Sequence, residues 1–139
     1  MVKKFFDLNN FSSTNWKLSI DNEKILWVTL DCPGRSANIL SNSVRDELDT
    51  FIDSFNPQNE VNEHFREVTG IVFKSNKASG FAAGADITEF RALSGTADFI
   101  EKSRKMVIDG WNLYNKLEKL SNEIPTVALI NGFCMGGGF

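Results

Sequence analysis

Two turns built from small residues, each placed after a short apolar run, restrict the folds open to this 139-residue chain. The turn "GFAAGAD" follows the run "GIVFKS", and "NGFCMGGGF" follows "TVALIN". Short apolar runs bounded by turn residues predict buried strands. In sheets that alternate with helices, ligands bind beyond the strand ends, and residues without bulky side chains let a ligand approach the main chain. We therefore expect both turns to be binding loops.

The rest of the chain alternates between strand and helix patterns. Residues 16–31 contain two apolar runs around "DNE", which predicts a β-hairpin. Apolar residues then recur at spacings of three and four over 44–55, which predicts an amphipathic helix. Ser41 or Ser43 is its expected N-cap, and the helix is expected to stop at residues 56–57, an Asn-Pro pair.

A second helical pattern is longer, and we interpret its apolar stripe as core packing. The stripe consists of Phe99, Met106, Trp111, Leu113, Tyr114, Leu117 and Leu120. The polar stretch up to Glu67 predicts a loop or a short frayed helix, and residues 1–15 predict a loosely ordered N-terminal segment. The alternation of strands and helices predicts one α/β domain over residues 16–139.

Charge and composition argue against several classes of function. The net charge is −3, and Lys and Arg are scattered, so no basic surface for nucleic acid is expected. No apolar run is long enough for a signal peptide or a membrane span, which favours a cytoplasmic protein. Cys32 and Cys134 belong to no Cys-x-x-Cys pair and are expected to be buried, reduced thiols. His64 lies in the polar stretch "NEVNEHFRE" and is expected to be a surface histidine, and the sequence has no Cys/His cluster at metal-ligand spacing, so no metal site is expected.

The chemistry open to the two turns depends on whether they act together. Taken alone, a glycine run favours a flexible end or a tight turn, and "GFCMGGG" fits neither dinucleotide nor P-loop phosphate motifs. Two turns that each aim a main-chain N–H at one oxygen would form an oxyanion hole. Asp86 could be a catalytic acid, but "DITE" has the form of a capping box with Glu89, and we favour the cap.

These two motifs are also similar to those of a known family. "FAAGADITEF" together with "IPTVALINGFCMGGGF" resembles the crotonase, or enoyl-CoA hydratase/isomerase, superfamily, and the resemblance extends back through "ILWVTLDCPGRSANIL". The segment "LDCPGRSANILS" is most similar to the hydratase end of multifunctional fatty-acid oxidation α-subunits. The resemblance implies an α/β spiral of strand–strand–helix units, of which this chain supplies the N-terminal half. It also implies a 3-hydroxyacyl-CoA dehydrogenase region further along the protein.

The resemblance implies addition of water to a 2-enoyl-CoA, with the enolate charge held by the main-chain amides of Ala85 and Gly137. Residues that would border the acyl-CoA are Arg35, Ala37, Leu40, Ala83, Gly84, Asp86, Ile87, Thr88 and Gly136. Arg35 could reach a CoA phosphate or could be a surface charge, and both readings stay open.

The family's two catalytic glutamates would follow Phe139, so we expect no general base here, neither Glu89 nor Glu123, and no activity from this stretch alone. Double-bond isomerisation, thioester hydrolysis and a non-catalytic acyl-CoA-binding or assembly role stay open. By resemblance the whole protein needs no cofactor beyond its acyl-CoA substrate. It would be a homo-oligomer that can associate with a thiolase subunit.

Overall fold

The computed structural model describes residues 3–55 and 63–139. Within them the strands are β1 (Lys4–Asp7), β2 (Trp16–Ile20), β3 (Ile25–Leu30), β4 (Phe65–Val68), β5 (Gly70–Ser75), β6 (Gly80–Ala82), β7 (Thr126–Leu129) and β8 (Phe133–Cys134). The helices are α1 (Asn42–Asp53), α2 (Ile87–Leu93) and α3 (Phe99–Glu123), and Leu8–Asn10 and Gly136–Gly138 form 3-10 turns. The predicted mixture of strands and helices is confirmed.

A four-stranded sheet in the order β2-β3-β5-β7 forms the centre of the molecule. The predicted hairpin is present as the antiparallel pair β2–β3, and β5 and β7 continue the sheet in parallel. Asp21 shapes the hairpin turn, because its carboxylate accepts the N–H groups of Glu23 and Ile25. The parallel strands place the ends of β5 and β7, and thus both small-residue turns, at the same edge of the sheet.

Helix α1 forms as its spacing predicts. Of the two candidate serines, Ser41 is the N-cap, and its hydroxyl accepts the N–H of Val44 at 3.3 Å. The buried side of α1 belongs to one apolar core with the sheet strands and β1: Val44, Leu48, Phe51 and Ile52. The helix ends at Asp53, three residues before the expected stop.

The N-terminal segment differs from the expectation of loose order. Strand β1 pairs antiparallel with β4 in register from Lys4–Val68 to Asp7–Phe65. Phe6 is fully buried, with its ring centroid 5.0 Å from that of Phe55. Loose order over 1–15 and a loop or frayed helix up to Glu67 are therefore wrong for β1 and β4. The two strands lie far apart in sequence, so local patterning could not pair them. The predicted loop or frayed helix over 56–62 lies outside the described residues.

The apolar stripe of α3 is only partly a core stripe. Leu113 and Leu120 are buried, whereas Phe99, Trp111 and Tyr114 are 39%, 68% and 38% exposed. The expectation of core packing is wrong for these three aromatic residues, since periodicity locates an apolar side of a helix and not what covers it. In the described part of the chain, none of the helices combines the length and apolar character needed to cross a bilayer.

Candidate functional site

The two small-residue turns lie side by side in the structure. Each contains a short strand, and these strands, β6 and β8, pair in parallel with Gly80 opposite Phe133 and Ala82 opposite Cys134. The N–H of Met135 continues the contact by donating to the carbonyl of Ala82 at 3.0 Å. Neither short strand was predicted, because β6 has three residues and β8 has two, which is too short for an alternating strand pattern.

Glycines make this close approach possible. Gly84 has a φ of +92°, and a Cβ added there would lie 3.1 Å from the carbonyl oxygen of Met135. A Cβ on Gly136, whose φ is +54°, would lie 3.9 Å from the Cα of Gly84. A Cβ on Gly138 would lie 2.8 Å from that of Ala82. The main chains of the two turns are therefore in contact without side chains between them.

The orientation of the first turn is set by the loop before α1. The N–H of Leu40 donates to the carbonyl of Gly84 at 2.9 Å. None of the described peptide bonds is cis, and in a trans peptide the C=O and N–H point in opposite directions. The N–H of Ala85 shares its peptide unit with the Gly84 carbonyl, so it points away from Leu40. Ala85 is exposed, and within 3–55 and 63–139 its N–H has no hydrogen-bond acceptor.

The second turn holds a main-chain N–H in the same way. The carbonyl of Gly136 accepts the N–H of Phe139 at 3.1 Å, which fixes the peptide unit that carries the N–H of Gly137. Gly137 is exposed, and its N–H also lacks an acceptor among the described residues. On its other side, the carbonyl of Gly137 accepts the hydroxyl of Tyr114 at 2.6 Å. Both turns therefore present an oriented and unpaired donor.

Asn38 joins the first turn to the sheet. Its side chain is fully buried; the Oδ1 accepts the N–H of Cys32 at 3.0 Å, and the Nδ2 lies within 3.1 Å of three acceptors. Those acceptors are the carbonyls of Leu30 and Phe81 and the hydroxyl of Ser75. Its main-chain carbonyl accepts the N–H of Ala83 at 2.8 Å. Asn38 was not predicted from the sequence. The sequence feature that could have indicated it is its side-chain amide, which stands alone in the loop between a predicted strand and a predicted helix.

Asp86 caps α2, as its sequence context predicts. Its carboxylate accepts the N–H of Thr88 at 2.9 Å and the hydroxyl of the same residue at 2.6 Å, and these bonds lower the pKa of Asp86. In a capping box, the carboxylate of Glu89 would also accept the N–H of Asp86. The carboxylate of Glu89 instead accepts the N–H of Asn42 at 2.6 Å, at the start of α1, and lies 3.4 Å from Arg45. The predicted role of Glu89 in a box with Asp86 is therefore wrong.

Comparison with known proteins identifies the family and the fold of this chain. Residues 25–139 match the family model described as enoyl-CoA hydratase/isomerase. The chain belongs to this family. In the crystal structure of the Bacillus halodurans enoyl-CoA hydratase, 89% of this chain aligns with 45% of that protein at a TM-score of 0.67 and 22% identity, which supports the fold. The Bacillus anthracis enoyl-CoA hydratase aligns at a TM-score of 0.65 and 26% identity, over 89% of this chain and 42% of that one.

Curated relatives are longer than this chain. It is 31% identical over 121 residues to the fatty acid oxidation complex subunit alpha of Idiomarina loihiensis, covering 87% of this chain and 15% of the relative. It is 32% identical over 123 residues to the protein of the same name in Shewanella frigidimarina, covering 88% of this chain and 16% of the relative. The chain thus spans about a sixth of the length of these relatives.

The other site residues that the enoyl-CoA hydratase/isomerase resemblance implied surround the first turn. Leu40 forms a parallel bridge with Ala85, and Ala37 lies in the same loop. Ile87, 63% exposed, begins α2 after the Asp86 cap. Arg35 stands at the outer rim, half-exposed, with its guanidinium 3.8 Å from the carboxylate of Asp86.

An apolar cleft of about 640 Å³ opens beside the second turn of this family member. Its walls include Leu40, Leu48, Phe73, Phe81, Tyr114, Leu117 and Ala128, and the glycines Gly136–Gly138 form part of its edge. The unpaired N–H of Gly137 therefore lies where an apolar cleft meets solvent. This arrangement suits a ligand with a polar group next to an apolar chain.

Proposed function

We propose that this chain supplies the oxyanion-binding part of an enoyl-CoA hydratase. The N–H groups of Ala85 and Gly137 bind the thioester oxygen of a 2-enoyl-CoA. The observation that carries the proposal is that each N–H is unpaired among the described residues while the carbonyl of its own peptide unit is held by a hydrogen bond.

The chemistry of hydration explains why two fixed donors matter. When water adds to C3 of the enoyl thioester, electrons move through C2 onto the thioester oxygen, and a proton then adds to C2. Donors already aimed at that oxygen stabilise the charge without reorganising, and one such donor is worth a factor of about 10² to 10³ in rate.

Proton transfer is assigned to no described side chain. Glu89 is bonded to α1, and Glu123 forms an ion pair with Lys4 of β1. By resemblance, this step belongs to glutamates placed after Phe139.

The surroundings of the two donors suit the remaining parts of an acyl-CoA. The apolar cleft beside Gly137 would take the acyl chain. The loop from Arg35 to Leu40 would border the CoA, and the half-exposed guanidinium of Arg35 is able to exchange Asp86 for a phosphate. No cofactor is required for this reaction.

Double-bond isomerisation is the second candidate, because the description of the matched family names both activities and both pass through an enolate. The names of the curated relatives support a role in fatty-acid oxidation as part of this proposal. For the whole protein we propose a homo-oligomer that associates with a thiolase subunit.

The test uses the protein expressed from its complete reading frame and a series of 2-enoyl-CoA thioesters of different chain lengths. Hydration removes the conjugated enoyl absorbance and yields a 3-hydroxyacyl thioester, whereas isomerisation moves the double bond without adding water. Binding without turnover would assign an acyl-CoA-binding module instead. No turnover and no binding at any chain length would reject acyl-CoA chemistry.

A matched pair of variants tests the second donor. Gly137→Pro removes the N–H, and we expect kcat to fall by about 10² to 10³. Gly137→Ala keeps the N–H, so its loss should be much smaller than that of the Pro variant, although its Cβ would lie 3.1 Å from the Tyr114 hydroxyl, which must shift slightly. Equal activity of the Pro variant and the wild type would remove Gly137 from the proposed role.

A further inference from the structure

The second turn lacks side chains of its own over Gly136–Gly138. Glycine has more backbone freedom than any other residue, so a triple-glycine turn needs contacts from elsewhere to hold one conformation. Within the described part of the chain, the side chain that hydrogen bonds to this turn is that of Tyr114, whose hydroxyl donates to the Gly137 carbonyl at 2.6 Å.

This bond completes the fixation of Gly137 on both sides. The peptide unit before its Cα is held through the Gly136 carbonyl, which accepts the N–H of Phe139. The peptide unit after its Cα is held at both ends: the N–H of Gly138 donates to the Met135 carbonyl at 3.0 Å, and the Gly137 carbonyl accepts the Tyr114 hydroxyl. Holding both flanking units restricts φ and ψ of Gly137 and therefore the direction of its N–H.

Tyr114 is itself well supported on α3. The preceding residue, Leu113, is buried in the core, and Lys116 ties the helix to α1 through ion pairs of 2.5 Å with Asp49 and 2.8 Å with Asp53. Partial burial of the ring against the cleft raises the pKa of Tyr114 above its ordinary value of 10.0, so the hydroxyl stays a donor at neutral pH. The ring also lines the apolar cleft.

We propose that Tyr114 is a positioning residue for the second oxyanion donor, acting through the Gly137 carbonyl. The proposal rests on the proposed function, because it assumes that the N–H of Gly137 binds the thioester oxygen. Tyr114 does not take part in proton transfer. It keeps the triple-glycine turn in the one conformation in which that N–H faces the ligand.

The test is Tyr114→Phe in the protein made from the complete reading frame. The variant keeps the ring and removes the hydrogen bond, and we expect kcat for a 2-enoyl-CoA to fall about tenfold with KM within about twofold. The melting temperature should stay unchanged, since the lost bond lies at a partly exposed turn. Trp111→Phe is the matched control on the same helix, because Trp111 is 68% exposed, and its kcat should equal that of the wild type.

Two further readouts separate positioning from a general structural effect. The carbonyl stretching frequency of a bound enoyl thioester should move towards its value in water in Tyr114→Phe, because the donors are less well aimed. Hydrogen exchange at the amides of Gly137 to Phe139 should become faster, while exchange in the central sheet stays the same.

The failure of this proposal is distinguishable from failure of the proposed function. If the wild type turns over enoyl-CoA and Tyr114→Phe matches it in kcat, the positioning role is overturned. If the wild type turns over no acyl-CoA, the proposed function fails, and the hydrogen exchange of Gly137 to Phe139 still decides whether Tyr114 holds the turn.

Discussion

Asn38 is the buried amide whose hydrogen bonds join the ends of β3 and β5 to β6. Asn38→Asp keeps its shape but replaces the Nδ2 donor, which faces the carbonyls of Leu30 and Phe81 and the hydroxyl of Ser75, with an acceptor. Each buried group left unpaired costs about 1–3 kcal/mol, so we expect the free energy of unfolding to fall by at least about 3 kcal/mol in chemical denaturation.

The control for Asn38 is an asparagine on the surface of the second turn. Asn131 is exposed and makes one hydrogen bond, from its Nδ2 to the carbonyl of Lys77. Asn131→Asp should change the free energy of unfolding by less than about 1 kcal/mol. Similar losses for the two variants would contradict the role of Asn38 as the junction of the three strands.

The lowered pKa of Asp31 predicts that the stability of the fold depends on pH. The bond from Lys17 is the main cause that lowers its pKa well below its ordinary value of 3.8, with smaller contributions from Lys77 and Asn76. A lowered carboxyl pKa contributes stability that is fully present above the ordinary pKa and is lost as the pH falls below it. Asp31→Asn should therefore lower the melting temperature at pH 7, and the difference from the wild type should shrink from pH 4 downwards. A difference that stays constant to pH 2 would contradict the assignment.

Local sequence signals were enough for some site residues and not for others. The cap at Asp86 follows from the residues next to it, and the structure has that bond to Thr88. Glu89 bonds to Asn42, and Asn38 bonds to Ser75 and Phe81, all more than 30 positions away along the chain, so spacing alone could not assign these contacts. The pairing of the two turns was expected from the strand ends, whereas the contribution of Tyr114 needed the position of α3.

The contribution of strand β1 to the apolar core was not evident from the sequence alone. The ring of Phe6 is fully buried and lies 5.4 Å from that of Phe51, centroid to centroid. Phe6→Ala should lower the free energy of unfolding by about 3–5 kcal/mol, because it empties a well-packed aromatic cluster. Phe5, on the opposite face of the same strand, is only partly buried, and Phe5→Ala is the matched control with an expected loss of less than half as much. Equal losses in urea denaturation would contradict the packing of β1.

Elements with strong local periodicity were predictable, and those that depend on distant pairing were not. The β2–β3 hairpin and α1 follow from turn chemistry and apolar spacing within one short segment. The pair β1–β4 joins segments about 60 residues apart, and nothing in either partner alone indicates the other. For α3, the apolar stripe was identified correctly, but its exposure is a property of the assembled fold.

At the scale of the whole molecule, the last strand of the central sheet is open on one edge. Strand β7 pairs with β5, and among the described strands its other edge has no partner. Val127, Leu129 and Ile130 are 53%, 48% and 48% exposed. Open apolar edges favour association, so we expect the 139-residue chain to form concentration-dependent oligomers in sedimentation velocity experiments.

Leu129→Lys tests whether that edge is responsible. A lysine on an edge strand opposes pairing with another chain, so this variant should shift the distribution towards the monomer. Asn122→Lys, at an exposed position on α3, adds the same charge elsewhere and should leave the distribution as it is. A wild-type chain that stays monomeric at every concentration would show that the edge does not drive association.

The unpaired N–H groups of Ala85 and Gly137 belong to segments between which α2, α3 and β7 all lie. A ligand oxygen that is hydrogen-bonded to both N–H groups would link the two ends of the segment that contains α2, α3 and β7. Saturating ligand would then slow the opening of α3 as well as of the two turns, since the Tyr114 hydrogen bond joins the helix to the second turn. Bound substrate would therefore stabilise the fold of the region that binds it.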